Sequence, residues 1–429
     1  MKIAIIGTGY VGLPSGVGFA ELGNEVICID KIKEKIDQLN NGKSTIYEKD
    51  LEKLLIKNIK NKKIKFSTQI SDILGCDIII LTVGTPPHPK TKEADMSYIY
   101  QATEELAPFL NDYSVVAIKS TCPIGCDKEI KDIITKTNPK ADFDIVLLPE
   151  FLREGFAIYD FFNPDRIIVG SDSTKATNII KELYKPFQCP ILYMSNIAAG
   201  MVKYASNAML AIKIHYINEI ANLCEKVGAD IMDVARGIGL DSRIGDKFLN
   251  PGPGYGGFCF PKDTLAIALI AKKNNISLNL IETAIKENEN RQKQIANKII
   301  KACKNIKNPS IAVLGLAFKA GTDDCRLSPA INIIQELLKN NFKIKAHDPK
   351  AIKSAKEFLG DKIDYINDMD EIYENADILV ILTEWQEFKK LDLNKVAKKM
   401  KNKIIIDCRN LLDKNEAIRL GFIYKGIGR

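Results

Sequence analysis

The order of apolar runs that opens this chain occurs a second time near its end. KIAIIG, EVICID, CDIIILTVGTP and YSVVAIKST alternate with amphipathic stretches, and from Ser310 onward the order returns as SIAVLGLAFK, FKIKAHDPK, ADILVILTEW and KIIIDCRN. Short buried strands separated by helical segments are typical of a doubly wound parallel sheet. The sequence therefore predicts an α/β chain with two Rossmann-like doubly wound domains.

Between the two copies the pattern becomes helical. One helical register of more than thirty residues runs from about Asn196 to a terminating glycine, Gly228. A helix of this length is expected to bridge domains or subunits, and its face of small and apolar residues predicts a homodimer. Further helix is expected from Asp263 to about Lys304. We therefore predict domains over 1–195, 196–304 and 305–429, with dimerisation through the middle region.

Composition and charge limit the partners of the chain. No run of about twenty uncharged apolar residues occurs, and the N-terminus lacks the pattern of a signal peptide, so we expect a cytoplasmic protein without membrane contact. Much of the net charge of +7 comes from lysines such as those between 57 and 65, which are spaced as on a solvated helix face and the following turn. Nucleic-acid binding is therefore not expected, whereas a phosphate-bearing ligand suits the positive charge.

A glycine-rich turn follows the first predicted strand. Gly7, Gly9 and Gly12 form GTGYVG between that strand and a helix, and Asp30 ends the next strand. Such glycines permit a tight turn and close approach of a pyrophosphate, which the helix N-terminus stabilises, while the acidic residue binds the ribose hydroxyls. A carboxylate there favours NAD over NADP, although Lys31 and Lys33 leave NADP open. The second copy lacks the three glycines, so we expect it to bind a different nucleotide.

The ten cysteines show no paired CxxC framework, so most are expected to be reduced, buried and inert. Cys259 differs because of its surroundings, NPGPGYGGFCFPKD at 250–263, whose glycines and prolines predict irregular backbone close to a ligand. Lys262 and Asp263 supply charge for thiolate formation and proton transfer, and a cysteine in a dehydrogenase can capture an aldehyde covalently. The alternative is a glycine-rich linker with a buried thiol.

Together with this loop, seven other segments resemble the UDP-glucose and GDP-mannose dehydrogenase family over essentially the whole chain. They are GTGYVG, VGTP at 83–86, KST at 119–121, PEFLREG at 149–155, NPDRIIVG at 163–170, KYASNA at 203–208 and GLAFKAGTDDCRLSP at 315–329. Within the family, LREGFAIYDFFNPDRIIVG looks most like the branch that oxidises UDP-glucose. The resemblance implies a four-electron oxidation of the C6 alcohol to UDP-glucuronate by two NAD+, through a thiohemiacetal and a thioester on Cys259.

The resemblance also implies roles for other residues. Lys203 and Asn207, four apart on one helix face, match a pair that stabilises an oxyanion at C6. Without the cysteine loop, we would interpret the two residues as part of a solvent-exposed helix surface. Asp263 matches a residue that holds the proton-accepting water, and Glu150 and Thr121 match residues tied to hydrolysis and water placement. The cofactor contacts implied are Gly7, Gly9, Tyr10, Val11, Gly12, Asp30, Lys35, Thr85, Thr121, Glu154, Lys262 and Arg326. The substrate contacts implied are Glu150, Phe151, Leu152, Arg153, Lys203, Asn207, Phe248, Leu249, Asn250, Pro251, Gly252, Gly256, Lys319 and Arg409.

Some positions depart from the family pattern, and some alternatives remain open. Phe258 stands before the cysteine where many relatives carry serine, and it leaves the sugar less certain than the reaction. The same chemistry on GDP-mannose or a UDP-N-acetylhexosamine, a non-catalytic nucleotide-sugar-binding protein, and a two-electron dehydrogenase are the rival hypotheses. His88, His215 and His347 show no spacing for a metal, and we interpret them as structural, with Trp385 in packing.

Overall fold

The first half of the chain forms one eight-stranded sheet in the computed structural model, which describes residues 1–429. The spatial order, numbered along the chain, is 3-2-1-4-5-6-7-8, and every neighbouring pair is parallel except the sixth and seventh. Chain order reverses between the first and fourth strands, and ligands of open α/β sheets bind at the carboxyl ends of strands at such a point. The strands are β1 (Lys2–Ile6), β2 (Glu25–Ile29), β3 (Ile64–Ser67), β4 (Ile78–Leu81), β5 (Ser114–Ile118), β6 (Phe143–Leu147), β7 (Ile167–Ser171) and β8 (Ile191–Met194).

Helices cover both faces of this sheet, which explains why its strands are apolar throughout. Ile3 and Ile5 of β1 pack into one apolar core, while Ala4 and Ile6 pack into a second core on the opposite face, because successive side chains of a strand alternate between faces. Short 3-10 turns occur at Ile70–Ile73 and Ala107–Phe109. The helices are α1 (Gly12–Glu21), α2 (Lys33–Asn40), α3 (Leu51–Lys60), α4 (Ser97–Leu106), α5 (Cys126–Thr137), α6 (Ala157–Phe162) and α7 (Thr174–Tyr184).

The long helix predicted from about Asn196 is present. Helix α8 (Asn196–Val227) runs for 32 residues, and Gly228 follows it with a φ of 80°, the left-handed conformation that glycine adopts beyond a helix end. The chain divides into two compact units, 1–206 and 207–429, and the division falls inside α8. The three-domain boundaries proposed from the sequence remain a prediction.

The second sheet has six strands, all parallel, in the order 11-10-9-12-13-14. Its central strand again alternates between two cores, with Ile311 and Val313 on one side and Ala312 and Leu314 on the other. The strands are β9 (Ser310–Leu314), β10 (Lys343–His347), β11 (Asp364–Tyr365), β12 (Ile378–Ile381), β13 (Ile404–Asp407) and β14 (Ile423–Lys425). The predicted α/β class and the repeated parallel sheet are confirmed.

The helices of the second unit include the one that carries the cysteine. The prediction of irregular backbone over 250–263 was too long, because helix begins at Cys259 itself. Pro261 is compatible with this helix because it lies in the first turn, where backbone N–H groups have no partner within the helix. The helices are α9 (Ile231–Gly239), α10 (Cys259–Lys273), α11 (Asn279–Cys303), α12 (Pro329–Leu338), α13 (Ile352–Leu359), α14 (Gln386–Lys389), α15 (Leu393–Lys399) and α16 (Lys414–Arg419).

No helix combines the length and the apolar character that crossing a bilayer requires. The ten cysteines form no disulfide, and eight of them are buried; Cys189 and Cys259 are the two that keep partial exposure.

His347 and Trp385 are buried, which fits the interpretation that both residues have structural roles. The Nδ1 atom of His347 lies 2.9 Å from the carbonyl oxygen of Ile366.

Candidate active site

The glycine turn after β1 is fixed by its own packing. Gly7 has a φ of +101°, and the hydroxyl of Thr82 donates a 2.9 Å hydrogen bond to its carbonyl oxygen. A Cβ atom on Gly12, the first residue of α1, would lie 2.0 Å from that oxygen and 2.4 Å from the Thr82 hydroxyl. Only glycine therefore fits at position 12.

Gly9 has a different reason to be glycine. A Cβ atom there would meet no protein atom within 4 Å, so the backbone at this position borders open space beside the N-terminus of α1. Tyr10 and Val11 complete the turn before that helix. Open space at a glycine next to a helix N-terminus, at the switch point of the sheet, fits the pyrophosphate of a dinucleotide.

Asp30 is held in place at the end of β2. One carboxylate oxygen accepts hydrogen bonds from the amide of Thr8, at 3.0 Å, and from its hydroxyl, at 2.8 Å, while the other accepts from the amide of Ile32 at 3.1 Å. The side chain keeps partial exposure, so its remaining acceptor capacity is available to a ribose. Lys35 follows on α2, and its side chain is half-buried.

Two predicted threonines meet at the ends of neighbouring strands. The buried hydroxyl of Thr85, after β4, donates a 2.6 Å hydrogen bond to the carbonyl oxygen of Thr121, after β5. The hydroxyl of Ser120 donates to the carbonyl oxygen of Val83 at 2.7 Å in the same place. These bonds join the two loops at the carboxyl edge of the sheet.

A buried cluster of charges lies beyond β5 and β6. The ammonium of Lys203 donates to the carboxylate of Glu150 at 2.8 Å and to the Glu150 carbonyl oxygen at 2.6 Å, and the amide of Leu152 donates to the other carboxylate oxygen at 2.7 Å. Lys119, to which no role was assigned from the sequence, is buried with them. Burial acts to raise the pKa of Glu150, but Lys203 and Lys119 hold it below its usual value. The carboxylate is therefore ionised near neutral pH.

Lys119 contributes a distinct dependence of stability on pH. Burial lowers the pKa of its ammonium to about 8, against an opposing effect of Glu150. Below pH 8 the folded and unfolded chains both carry the proton, so the cost of burying the charge is fully present; between pH 8 and 10.5 the unfolded chain binds more protons, and that cost is relieved. Relative to Lys119→Met, the wild type should thus gain roughly 2 kcal/mol of unfolding free energy between pH 7.5 and 9.5.

Urea denaturation of both proteins at the two pH values measures this gain. Lys128→Met, which removes an exposed lysine of α5, is the matched control and should show the same pH dependence as the wild type. An unchanged difference between the wild type and Lys119→Met across this range would contradict a buried lysine of lowered pKa.

The segment after Glu150 is braced by other carboxylates. The guanidinium and amide of Arg153 donate to Asp160, with distances of 2.6 and 2.9 Å from Nη2 and Nε. The carboxylate of Glu48, to which no role was assigned from the sequence, accepts hydrogen bonds from the amides of Gly155 and Ala157. This bracing fixes the backbone that carries the predicted residues Phe151, Leu152 and Glu154.

In the second unit, the reactive-cysteine candidate is the first residue of α10. Asp263 follows Cys259 by four residues and so lies on the same helix face. The Asp263 carboxylate is buried; it accepts a 2.6 Å hydrogen bond from the amide of Asn207 and forms an ion pair with Lys262. A half-buried thiol one turn from a fixed carboxylate can act as a nucleophile with a proton acceptor close by.

Phe258, the residue that departs from the family pattern, lies between two cations. Its ring centroid is 4.4 Å from the guanidinium carbon of Arg326 and 5.4 Å from the ammonium of Lys262. Arg326 also forms a bidentate pair with Asp324, with bonds of 2.7 to 3.0 Å. Phe258 thus orients the two residues predicted to contact cofactor from this unit, through cation–π contacts.

The loop before Cys259 is held from both sides by polar helix residues. The amide of Gly252 donates to Asn218 at 2.8 Å, and its carbonyl oxygen accepts from Arg291 at 3.0 Å. Both partners are buried polar residues on amphipathic helices, a signal that sequence inspection could have used. Leu249 and Pro251 are buried, Asn250 is exposed, and Phe248 adopts a left-handed φ of 66°.

The remaining predicted substrate contacts are also placed in this unit. A Cβ atom on Gly256 would lie 2.4 Å from the carbonyl oxygen of Leu327. Packing alone therefore requires glycine at this position, whether or not a ligand contacts it. Arg409 donates to the carbonyl oxygens of Leu382 and Phe318 at 2.8 and 3.2 Å. Lys319 lies with its ammonium 5.6 Å from the Phe318 ring centroid.

The second sheet also has an acidic residue at the end of its second strand, Asp348 after β10, but this residue is engaged differently from Asp30. Its carboxylate is buried and accepts from the amides of Leu316 and Ala317 at 2.8 and 3.1 Å and from the indole of Trp385 at 3.1 Å. Two further amides donate to its other oxygen. With five donors, Asp348 has no capacity left for ribose hydroxyls. That the second copy binds a different nucleotide remains a prediction.

Three family models match successive parts of the chain. The NAD-binding domain of the UDP-glucose/GDP-mannose dehydrogenase family matches residues 1–188, its central domain 197–290, and its UDP-binding domain 312–414. A UDP-glucose 6-dehydrogenase of Rhizobium meliloti is 44% identical over the full length of both chains, and one of Bacillus subtilis is 46% identical over all of this chain and 93% of its own.

Solved structures agree with these sequence matches. A UDP-glucose dehydrogenase from Pyrobaculum islandicum superposes with a TM-score of 0.93 and 31% identity, covering 100% of this chain and 97% of its own. A UDP-D-ManNAc dehydrogenase from Pyrococcus horikoshii reaches a TM-score of 0.88 and 30% identity, covering 100% and 99%.

Proposed function

The chain belongs to the UDP-glucose/GDP-mannose dehydrogenase family, and we propose that it acts as an NAD-dependent UDP-glucose 6-dehydrogenase. It would oxidise the C6 alcohol of UDP-glucose to the carboxylate of UDP-glucuronate. The observation that carries the proposal is the position of Cys259 at the start of α10, one turn before an Asp263 carboxylate fixed by Asn207 and Lys262.

The first unit supplies the cofactor site in this proposal. Gly9 borders the open space, Asp30 offers its carboxylate to ribose hydroxyls, and the N-terminus of α1 faces the diphosphate. When bound, NAD+ provides a hydride acceptor for each of two successive oxidations. Thr85 and Thr121, joined by their hydrogen bond, shape the edge of the same site.

In the first oxidation the C6 alcohol loses a hydride and a proton and becomes an aldehyde. Asp263 is the proposed base, acting through a water, because its carboxylate is buried and held by two donors. Asn207 and Lys203, one turn apart on α8, would donate hydrogen bonds to the oxygen at C6 as negative charge develops there.

The second oxidation is proposed to proceed on the enzyme's own sulfur. The Cys259 thiolate adds to the aldehyde carbon, and the oxygen takes up a proton to give a thiohemiacetal. This adduct loses a hydride from carbon and the proton from oxygen, which leaves a thioester. The covalent bond explains how the aldehyde is retained between the two steps.

Hydrolysis of the thioester completes the proposed reaction. Water adds to the thioester carbonyl, the C–S bond breaks, and the thiolate of Cys259 leaves as the carboxylate forms. Glu150 is the proposed partner of this water, since Lys203 and Lys119 keep its carboxylate ionised. In sum, one alcohol and one water are converted into one carboxylate; the two hydrides would go to two NAD+, and three protons are released.

We further propose a cytoplasmic homodimer that associates through α8. Large apolar side chains are exposed along this helix at Met209, Tyr216 and Leu223, seven residues apart, so they lie along one side of it. A second copy of the chain would remove this row from water. Light scattering in solution tests the proposal, and a monomer mass at micromolar concentration would contradict it.

The test of the function is the yield of NADH from a limiting amount of nucleotide sugar in excess NAD+, read at about 340 nm. Two NADH for each UDP-glucose are expected, because both oxidations occur before release. Two NADH from GDP-mannose or a UDP-N-acetylhexosamine instead would change the substrate only. One NADH would indicate a two-electron dehydrogenase, and none with any sugar would favour a non-catalytic binding protein.

A further inference from the structure

A cavity of about 410 Å³ lies in the second unit and shares no residue with the site described above. This volume is within the range of small-molecule sites. Its walls come from the end of α8, the turn into α9, one side chain of α11, the start of α16, and the chain from β14 to the C-terminal residue. The side chains that matter for charge are Glu225, Asp230, Lys298, Lys414, Lys425 and Arg429.

The wall formed by the last residues is fastened to the fold by several hydrogen bonds. The carbonyl oxygen of Gly428 accepts from the amide of Ile231 at 2.9 Å, and its amide donates to Glu225 at 2.9 Å. Asn410 forms two hydrogen bonds with the backbone of Ile427, at 2.8 and 2.9 Å. The cavity is therefore formed before any ligand arrives, which lowers the entropic cost of binding.

The charges of the cavity are unequal. Lys298 pairs with Glu225 at 2.6 Å, and Arg429 pairs with Asp230 at 3.1 Å. Lys414 and Lys425 line the same space, and their ammonium groups have neither an ion pair nor a hydrogen bond. Once the two pairs are set aside, two positive side-chain charges, those of Lys414 and Lys425, are left among the residues that line the cavity. Such a pair attracts a compact anion that can accept hydrogen bonds from both.

We propose that this cavity binds a small phosphate monoester, with Lys414 and Lys425 as the ligands of the phosphate group. A phosphate monoester carries about −1.5 to −2 charge near pH 7, which matches the two unpaired ammonium groups. The cavity volume exceeds that of the phosphate alone, so an organic group is accommodated beside it. The binding does not depend on the oxidation proposed above.

The test is calorimetric titration with glucose 6-phosphate and, separately, inorganic phosphate, at about 0.15 M salt. The titration uses the full chain saturated with NADH and UDP-glucose, which occupy the other nucleotide sites without turnover because the cofactor is already reduced. We expect one site per chain, and tighter binding of the ester than of inorganic phosphate. Equal affinity for the two probes would assign the site to free phosphate and overturn the monoester proposal.

The decisive variant is Lys414→Ala/Lys425→Ala, for which Kd should rise about tenfold or more. Lys353→Ala/Lys362→Ala removes two exposed lysines of the same unit, an equal change of charge, and should leave Kd unchanged. Lys414→Arg/Lys425→Arg keeps both cations and should retain binding even if the alanine pair folds poorly. No binding to the wild type, or the same Kd in the alanine and control pairs, would overturn the proposal.

Discussion

Replacing Cys259 with serine is expected to lower the rate of UDP-glucuronate formation by about a thousandfold or more. A serine hydroxyl is a far weaker nucleophile than a thiolate at neutral pH, and an ester formed on it would hydrolyse more slowly than a thioester. The first oxidation does not use the sulfur, so we expect the variant to retain a slow release of one NADH for each sugar. NADH yield and chromatography of the uronate measure both effects.

Cys189→Ser is the matched control for this prediction. Cys189 is the other cysteine with partial exposure, whereas the remaining eight are buried. We expect this variant to keep two NADH for each UDP-glucose and a rate close to that of the wild type. Turnover by Cys259→Ser at the rate of Cys189→Ser would refute covalent catalysis.

A second large effect is expected at the first glycine turn, where Gly12→Ala should destabilise the first unit and prevent cofactor binding. The new Cβ would lie 2.0 Å from the carbonyl oxygen of Gly7, a backbone atom that cannot move without shifting β1 or α1. We expect a loss of several kcal/mol in unfolding free energy, which is typical of overpacking against a rigid neighbour. Thermal or urea unfolding measures this loss.

Gly9→Ala separates folding from binding at the same turn. Its Cβ would meet no protein atom within 4 Å, so stability without cofactor should change by less than about 1 kcal/mol. The methyl group would occupy the space assigned to the pyrophosphate, and Kd for NADH should rise at least about tenfold. Unchanged NADH affinity in Gly9→Ala would contradict the placement of the cofactor.

The sequence was most informative where one residue type has a single structural explanation. GTGYVG between a strand and a helix predicted the turn at Gly7 and the start of α1, and the uninterrupted helical register predicted α8 to within a residue or two. The repeat of four apolar runs predicted the second sheet. In each case the local pattern and the tertiary packing favour the same structure.

Long-range side-chain contacts were not predictable in the same way. Nothing local to Lys119 reveals that it shares a buried cluster with Glu150 and Lys203, because these residues come from three separate parts of the chain. The bracing of the 150–157 segment by Glu48 is of the same kind. A family resemblance can assign roles to matched positions, but it did not identify these supporting residues.

The saturated carboxylate of Asp348 makes the second sheet unlike the first in the way it can bind a nucleotide. NAD and a UDP-sugar each contain a nucleoside joined to a diphosphate. In a chain with two similar sheets, either molecule could therefore bind at the sheet meant for the other. At the second sheet the indole of Trp385 and four backbone amides already occupy the acceptor atoms that a dinucleotide would need. We therefore expect NAD not to bind through Asp348 as proposed for Asp30, so a higher cofactor concentration should not displace a sugar nucleotide from the second sheet by this route.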